Sequence, residues 1–482
     1  MPRALTTLSC AAASGVLLAG CVTYEPKPLA PAETAAAFEK RSLDSPELRV
    51  FLEAQTGHKF KKWPLNHPEP WNLELLTYAA YHFHPSLEVS RAQWAVALAA
   101  EVTAGGRPNP TVGLSPTYNF SAASGVTPWI PGATIDLPIE TAGKRGLRIA
   151  HGRQQSEVAR WNLHSAAWKV RASVRDALSN YRYLGSLSGQ LELKHTLQQS
   201  LVKLQDERLK AGAVSLSDVI PARLAMEKTK VEWDLAKENR ASAKARLAEA
   251  IGVPADPLDF LPMSIGLYSP QLSDAQLHSM REQALQGRAD LRAALAEYAA
   301  AQTALQLEVA KQYPDVRLGT GYQWDQGDSK WTLINFSAEL PVFNRNQGPI
   351  AEAKAKREEA AARFTALQAK LMADIDAATA VFRTSRARTF TTSAMFDTLR
   401  KQEVAIAAQV KAGAGEQLDL LNAQLERLTV QGLSTEVTYR AELAINQLED
   451  ALQMPLDRRA GASAPPPGEF IEANPHVAKE KP

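Results

Sequence analysis

Cysteine is nearly absent: Cys10 and Cys21 are the only two in 482 residues. Two thiols cannot build a disulfide framework or a four-ligand zinc site. An excess of charge of one sign is missing too. Fifty-four basic residues against 52 acidic ones leave a formal net charge of +2, whereas nucleic-acid binders concentrate positive charge. No nucleic-acid partner is indicated. After the first 25 positions no apolar run approaches the ~20 residues of a membrane-spanning helix, which excludes a polytopic helical bundle. No Ser-His-Asp set, phosphate loop or pair of catalytic carboxylates stands out, so nothing carries an enzymatic reading, and no cofactor is implied. Apolar residues still make up 45% of the chain, which is ordinary for a folded protein and excludes wholesale disorder.

The N-terminus reads as a targeting segment. Arg3 gives a thin positive start, residues 4–20 are small and apolar, and the run ends Leu18-Ala19-Gly20-Cys21. This run resembles a bacterial lipobox, with 1–20 as signal peptide and Cys21 as the lipidated first residue of the mature chain. The alternative is an ordinary signal peptide with an incidental cysteine. Val22 in the second mature position, where an aspartate is absent, favours the outer membrane by resemblance to lipoprotein sorting. Acyl chains would anchor the protein without spanning the bilayer. Residues 21–70 are Pro-rich and read as an irregular, lipidated tether. The segment 457–482, rich in Pro and Ala, reads as a disordered tail.

Between these lies a tandem repeat. The run Lys210-Ala211-Gly212-Ala213 recurs as Lys411-Ala412-Gly413-Ala414, and Asp218 then matches Asp419. Residues 247–254 (LAEAIGVP) match 448–455 (LEDALQMP), Leu137-Pro138 matches Leu340-Pro341, and Pro110 with Tyr118 matches Pro314 with Tyr322. The offset stays at about 201 to 204 residues throughout. The ordered series implies two copies of one unit, 71–255 and 272–456.

Each copy reads as helix, two strands, long helix, tight turn, helix. Phe364, Leu367, Leu371, Ile375, Ala378 and Phe382 step by three or four, as do Val170, Val174, Leu178 and Tyr181. That rhythm is the seam of packed helices. Period-two alternation places strands at about 110–121 and 128–139 in copy one, and at about 315–325 and 331–341 in copy two. About ten residues suffice to cross a bilayer as a tilted strand. Phe120, Trp129, Trp324 and Trp331 at the loop-proximal ends suit an interfacial aromatic belt. The long helix of copy one, about 143–209, would span on the order of 100 Å, matched by flanking helices at about 72–106 and 218–252. Four strands per chain are too few for a closed membrane barrel, which needs at least about eight, and open edges are not tolerated in lipid. The chain must oligomerise.

These features together resemble the outer membrane efflux protein family (TolC-type outer membrane factors). The resemblance rests on the duplication, on the Gly-containing turns followed by Asp at 212/218 and 413/419, and on the Leu-Pro strand exits. It implies a mainly α protein with long antiparallel helical hairpins forming an α-barrel, plus four strands per protomer, the membrane β-barrel being closed by a homotrimer. It also implies a passive duct without catalysis in a tripartite efflux system, fed by a periplasmic adaptor and an inner-membrane pump. The localisation implied is the outer membrane, with extension into the periplasm. Adaptor-docking tips would then comprise Gly212, Ala213, Leu216, Asp218, Gly413, Ala414, Leu418 and Asp419. In them the glycines permit tight or left-handed backbone, Asp218 and Asp419 stand where a helix N-cap is wanted, and Leu216 and Leu418 are exposed apolar contacts or hairpin packing. Residues 137–146 (LPIETAGKRG) resemble the heavy-metal (cobalt–zinc–cadmium) subgroup, while 340–348 (LPVFNRNQG) is the more general family pattern.

Some signals stay outside that scheme. His82 and His84 form a His-x-His pair, but positions i and i+2 point to different faces of a helix, and no metal site is assigned to them. Lys144, Arg145 and Arg148 read as a solvated helix start or as interprotomer salt bridges, with lining of the tunnel as the third reading. The competing readings are a periplasmic adaptor or scaffold of helical hairpins, the outer-membrane component of a type I protein secretion system, and a lipid-anchored periplasmic enzyme. An adaptor should contain one hairpin flanked by Gly-rich β domains, and this chain has two hairpins and only two strands per repeat.

Overall fold

A computed structural model describes residues 23–65, 70–256, 258, 270–325 and 327–456. Cys21, the leader and the tail from 457 lie outside the described residues. The chain divides into a unit up to Ser42 and a second from Leu43 onward. The first holds α1 (Pro31–Glu39), a short helix with no buried residue. The second begins with α2 (Pro46–Thr56), capped by the Ser45 hydroxyl, which accepts from the Leu48 N–H at 3.2 Å. The sequence expectation of an irregular tether over 21–70 is corrected here. Leu43, Leu48, Leu52, Phe60 and Leu65 are buried and belong to the main hydrophobic core.

Both copies then run through the same elements. Copy one has α3 (Leu73–Phe83), α4 (Pro85–Ala104), β1 (Thr111–Leu114), β2 (Thr117–Tyr118), β3 (Trp129–Ile130), β4 (Gly132–Ile139), α5 (Lys144–Lys210) and α6 (Leu216–Ile251). Copy two has α7 (Asp274–Gly287), α8 (Ala289–Ala310), β5 (Val316–Asp325), β6 (Asp328–Ala338), α9 (Gln347–Lys411) and α10 (Gln417–Leu452). The single first helix expected at 72–106 is two helices, broken at His84. Pro85 removes an N–H and disfavours α geometry in the residue before it, and the His84 ring accepts from the Ser86 N–H at 3.2 Å to cap the second helix. Copy two breaks in the same place at Arg288, whose guanidinium is held by Asp290 at 2.7 Å.

The breaks position the cores. In copy one, α3 docks on the middle of α5 and the end of α6, burying Leu76, Ala79, Leu163, Val174, Leu247 and Ile251. In copy two, α7 docks equivalently on α9 and α10 through Leu277, Ile375, Phe382, Ile445 and Leu448. Helix α6 ends at Gly252 with φ +88°, where a Cβ would press within 2.8–2.9 Å of the backbone at Phe83 and His84. Its counterpart Gln453 has φ +48°, and its side-chain oxygen instead accepts the Ala289 N–H at 3.0 Å, capping α8. Along a rise of about 1.5 Å per residue, the 67 residues of α5 span about 100 Å.

The strands form one antiparallel sheet in the order β1-β4-β5-β6, with β4 and β5 joining the two copies in register from Gly132↔Gln323 to Ile139↔Val316. Copy one's hairpin is not the pair of continuous strands expected at 110–121 and 128–139. Pro116 and Pro131 have no N–H to donate, so the ladder splits, and β2 pairs with β3 as a separate short piece. Copy two's second strand lies three residues earlier than expected, at Asp328–Ala338, and carries a bulge opposite Gly319 to Gly321.

A polar seam completes the join. Arg175 on α5 is 4% exposed; it pairs with the buried Glu449 and with Asp450 at 3.0 Å on α10, and donates to the Asn446 carbonyl at 3.0 Å. Further along, Tyr183 stacks on Tyr439 with centroids 4.4 Å apart, and Gln190 donates to Thr435 at 2.6 Å. Removing one partner of a buried pair strands the other charge, which costs about 3–5 kcal/mol. Arg175→Ala is therefore expected to lower the unfolding free energy of the solubilised protein, read from urea denaturation, by about that amount, while the exposed pair Lys228–Glu232 can be broken with little change.

Hairpin tips and strand junction as the candidate functional site

The two helical hairpins end in the same backbone device. At the first tip Gly212 has φ +72°; its N–H bonds to Leu209 O at 3.0 Å and the Ala213 N–H bonds to Arg208 O at 2.8 Å. At the second, Gly413 has φ +75°, with Gly413 N–H to Val410 O at 3.0 Å and Ala414 N–H to Gln409 O at 2.9 Å. These are paired Schellman closures, which satisfy the carbonyls left over at a helix end and favour glycine at the left-handed position.

The helix starts differ. The N-cap role expected of the two aspartates is corrected: Ser215 and Glu416 hold those positions, and Asp218 and Asp419 come three residues later. Asp218 reaches back, accepting the Ser215 hydroxyl at 2.7 Å and the Ser215 N–H at 2.9 Å. These two hydrogen bonds, the hydroxyl first, hold its carboxyl below the usual aspartate range. In the second tip Glu416 turns its carboxylate to Arg208 of the first tip at 3.1 Å, so the two turns are tied side by side. Pro221 in the second turn of α6 removes the N–H that would bond Ser217 O. Ala213 and Ala414 lie exposed at the turns, and Leu216 is 55% exposed, whereas Leu418 is half-buried rather than exposed as its twin is.

At the other end, Tyr118 packs between Phe120 and Trp129, edge-on to both at 5.0 and 5.1 Å, and Tyr322 lies 4.7 Å from Trp331. Phe120 (93%), Trp129 and Trp331 are exposed; Trp324 is half-buried. Where strands hand over to helices, Lys144 and Arg148 are not free solvated cations: both are paired within the chain. Lys144 is buried and donates to Asp315 at 2.7 Å and to the Tyr313 carbonyl at 2.6 Å, tying copy one to copy two. Arg148 grips Glu140 through both terminal guanidinium nitrogens, and Arg145 donates to the Gly105 carbonyl at 2.8 Å. The sequence carried no sign that Asp315 and Glu140 were the partners, since one lies 171 residues from its lysine. His82 packs tilted against Phe51 at 5.0 Å and edge-on to Phe83 at 4.7 Å, and His84 is occupied as a helix cap.

The bond from Arg148 is the main cause holding the Glu140 carboxyl below its ordinary value of 4.5. A depressed carboxyl contributes stability above its unfolded pKa and loses it as the pH falls through the folded one. The thermal-stability difference between the parent and Glu140→Gln should thus be constant above about pH 4.5 and shrink below it. For the tips, Asp218→Asn is expected to speed amide hydrogen exchange at 215–219 while leaving 416–420 unchanged; equal acceleration at both would refute the unequal capping.

A family model described as outer membrane efflux protein matches residues 76–253 and again 280–452, one match for each copy. The cobalt-zinc-cadmium resistance protein CzcC of Cupriavidus metallidurans is 25% identical over 334 residues, covering 66% of this chain and 76% of that protein. Protein CyaE of Bordetella pertussis is 30% identical over 257 residues, and here the match spans 50% of this chain and 52% of the relative. Among solved structures, the outer membrane protein VceC of Vibrio cholerae superposes with a TM-score of 0.64 at 20% identity, over 80% of this chain and 97% of that one.

Proposed function

The chain belongs to the outer membrane efflux protein family, and from that premise we propose that it is the passive outer-membrane duct of a tripartite efflux system, complete only as a homotrimer. It is a channel protein and not an enzyme. The observation that carries the assembly is the sheet. Among the described residues β1 and β6 each pair on one side only, and an open edge in hydrocarbon leaves backbone groups unsatisfied at several kcal/mol each. Three copies of a four-stranded sheet give twelve strands, within the range of closed membrane barrels. No helix among the described residues is long and apolar enough to cross a membrane, so the sheet is the element suited to the task. The helices support the same reading. On α6, Leu216, Ile220, Leu224, Val231 and Leu235 form an exposed apolar stripe that a neighbouring copy would cover.

In this scheme the helices form the periplasmic tunnel, and Phe120, Trp129, Trp324 and Trp331 mark the bilayer interface. The tips around Gly212–Asp218 and Gly413–Asp419 receive a periplasmic adaptor, which links the duct to an inner-membrane pump. Cys21, in its Leu-Ala-Gly-Cys run, carries the lipid that adds a second hold on the outer membrane. The relative named for cobalt, zinc and cadmium resistance supports metal cations as the cargo class.

The duct reading expects heat-modifiable trimers in the outer-membrane fraction; a monomer released by salt washing would sink it. Deleting the gene should raise sensitivity to cobalt, zinc or cadmium more than to drugs if metal is the cargo. Gly212→Pro or Gly413→Pro cannot adopt the positive φ and loses the N–H that closes each tip. Each is expected to abolish export while leaving membrane insertion intact, and normal export by both would remove the tips from the mechanism.

A further inference from the structure

The two faces of the sheet differ in chemistry. Leu114, Ile135, Leu137, Leu318, Ile334 and Phe336 share one face and are exposed. On the other face the residues are small or polar, and glycine recurs. There Asp136 lies in register between Thr111 on β1 and Gly319 on β5, with Asn335 beyond. A Cβ at Gly319 would collide with the Asp136 carboxylate oxygen, so the glycine leaves the seat that the carboxylate occupies. Thr134 sits likewise between Gly113 and Gly321, with its side chain 2.6 Å from a Cβ placed at Gly113. One row toward the helices, about 7 Å along the strands, the exposed Arg317 lies in register with Pro138 and Ser337. At the loop end Lys330 is paired with Asp325, and Asp328 lies in register with Asp325 beside them. In the body of the sheet the polar face thus carries two charges, Asp136 and Arg317.

We propose that these two residues set the ion selectivity of the duct, Asp136 as the lumenal carboxylate that meets permeating cations and Arg317 as the opposing charge one row nearer the helices. The proposal rests on reading the sheet as barrel wall. The apolar face then meets lipid and the polar face the lumen, where substitutions tune selectivity. Closure by copies of the chain turns each residue into a ring, so that a solute crosses a carboxylate ring and a guanidinium ring in succession. The field of such rings reaches about 10 Å into 0.1 M salt but only about 3 Å into 1 M salt.

The test is the reversal potential of the purified full-length protein in planar lipid bilayers under a potassium chloride gradient near 0.1 M. Asp136→Asn is expected to lower the cation-to-anion permeability ratio by about twofold or more, and Arg317→Gln to raise it comparably. Both shifts should shrink in 1 M salt. Asp136→Glu keeps the charge and should keep the ratio, while Gly319→Ala, by pushing the carboxylate from its seat, should move the ratio as Asp136→Asn does. Pores of normal conductance whose ratio is unchanged in Asp136→Asn or in Arg317→Gln overturn the assignment. A parent protein that forms no conducting pore would overturn the duct reading itself, and this inference with it.

Discussion

The antiparallel ladder between β4 and β5 is the contact on which the rest of the molecule depends. Eight backbone pairs from Gly132↔Gln323 to Ile139↔Val316 fix copy one against copy two at one end. Everything further along the helices inherits that register. Lys144 reaches Asp315 because the ladder has already placed the start of α5 beside the entry to β5. Arg175 then finds Glu449 some 45 Å further along, at about 1.5 Å per residue over roughly 30 residues. A one-residue slip in the ladder would reverse the faces of one strand and misalign both ion pairs together.

Much of this was legible in the sequence, because duplication prints the same pattern twice. The long helices fall at 144–210 and 347–411, and the turns at 212 and 413 stand where the recurring Lys-Ala-Gly-Ala runs placed them. What stayed hidden were the features that depend on long-range neighbours. Periodicity runs through residues 73–104 without interruption, so the break at His84 shows only in Pro85, a residue equally at home in the first turn of a helix. The helix α2 was masked by flanking prolines, although Ser45 followed by Pro46 is a sound helix start. Partners such as Asp315 for Lys144 could not be read at all, since charge complementarity on a surface rich in both signs leaves too many choices.

The tips show how one backbone can be secured by different chemistry. Both close with a left-handed glycine and the same two hydrogen bonds. Beyond that point, the first tip keeps its acid for its own helix start and the second lends its acid to its neighbour. The helix-end counterparts Gly252 and Gln453 diverge in the same manner. One keeps the backbone bare to admit a close approach, and the other uses its side chain as a cap. In both cases the fold preserves the conformation and leaves the identity of the satisfying group free.

Asp136 and Gly319 belong to different copies, yet neither makes sense alone: the carboxylate of one occupies the space that the other vacates. The same holds for Lys144 with Asp315 and Arg175 with Glu449. The halves have therefore ceased to be interchangeable parts. A chain of two identical first copies would put Ser115 at the position of Gly319, with a Cβ where the Asp136 carboxylate sits. A half-length chain would have to borrow its missing neighbour from another molecule. Divergence after duplication has made the presence of both copies a structural requirement, because each half now carries sockets for side chains that only the other half supplies.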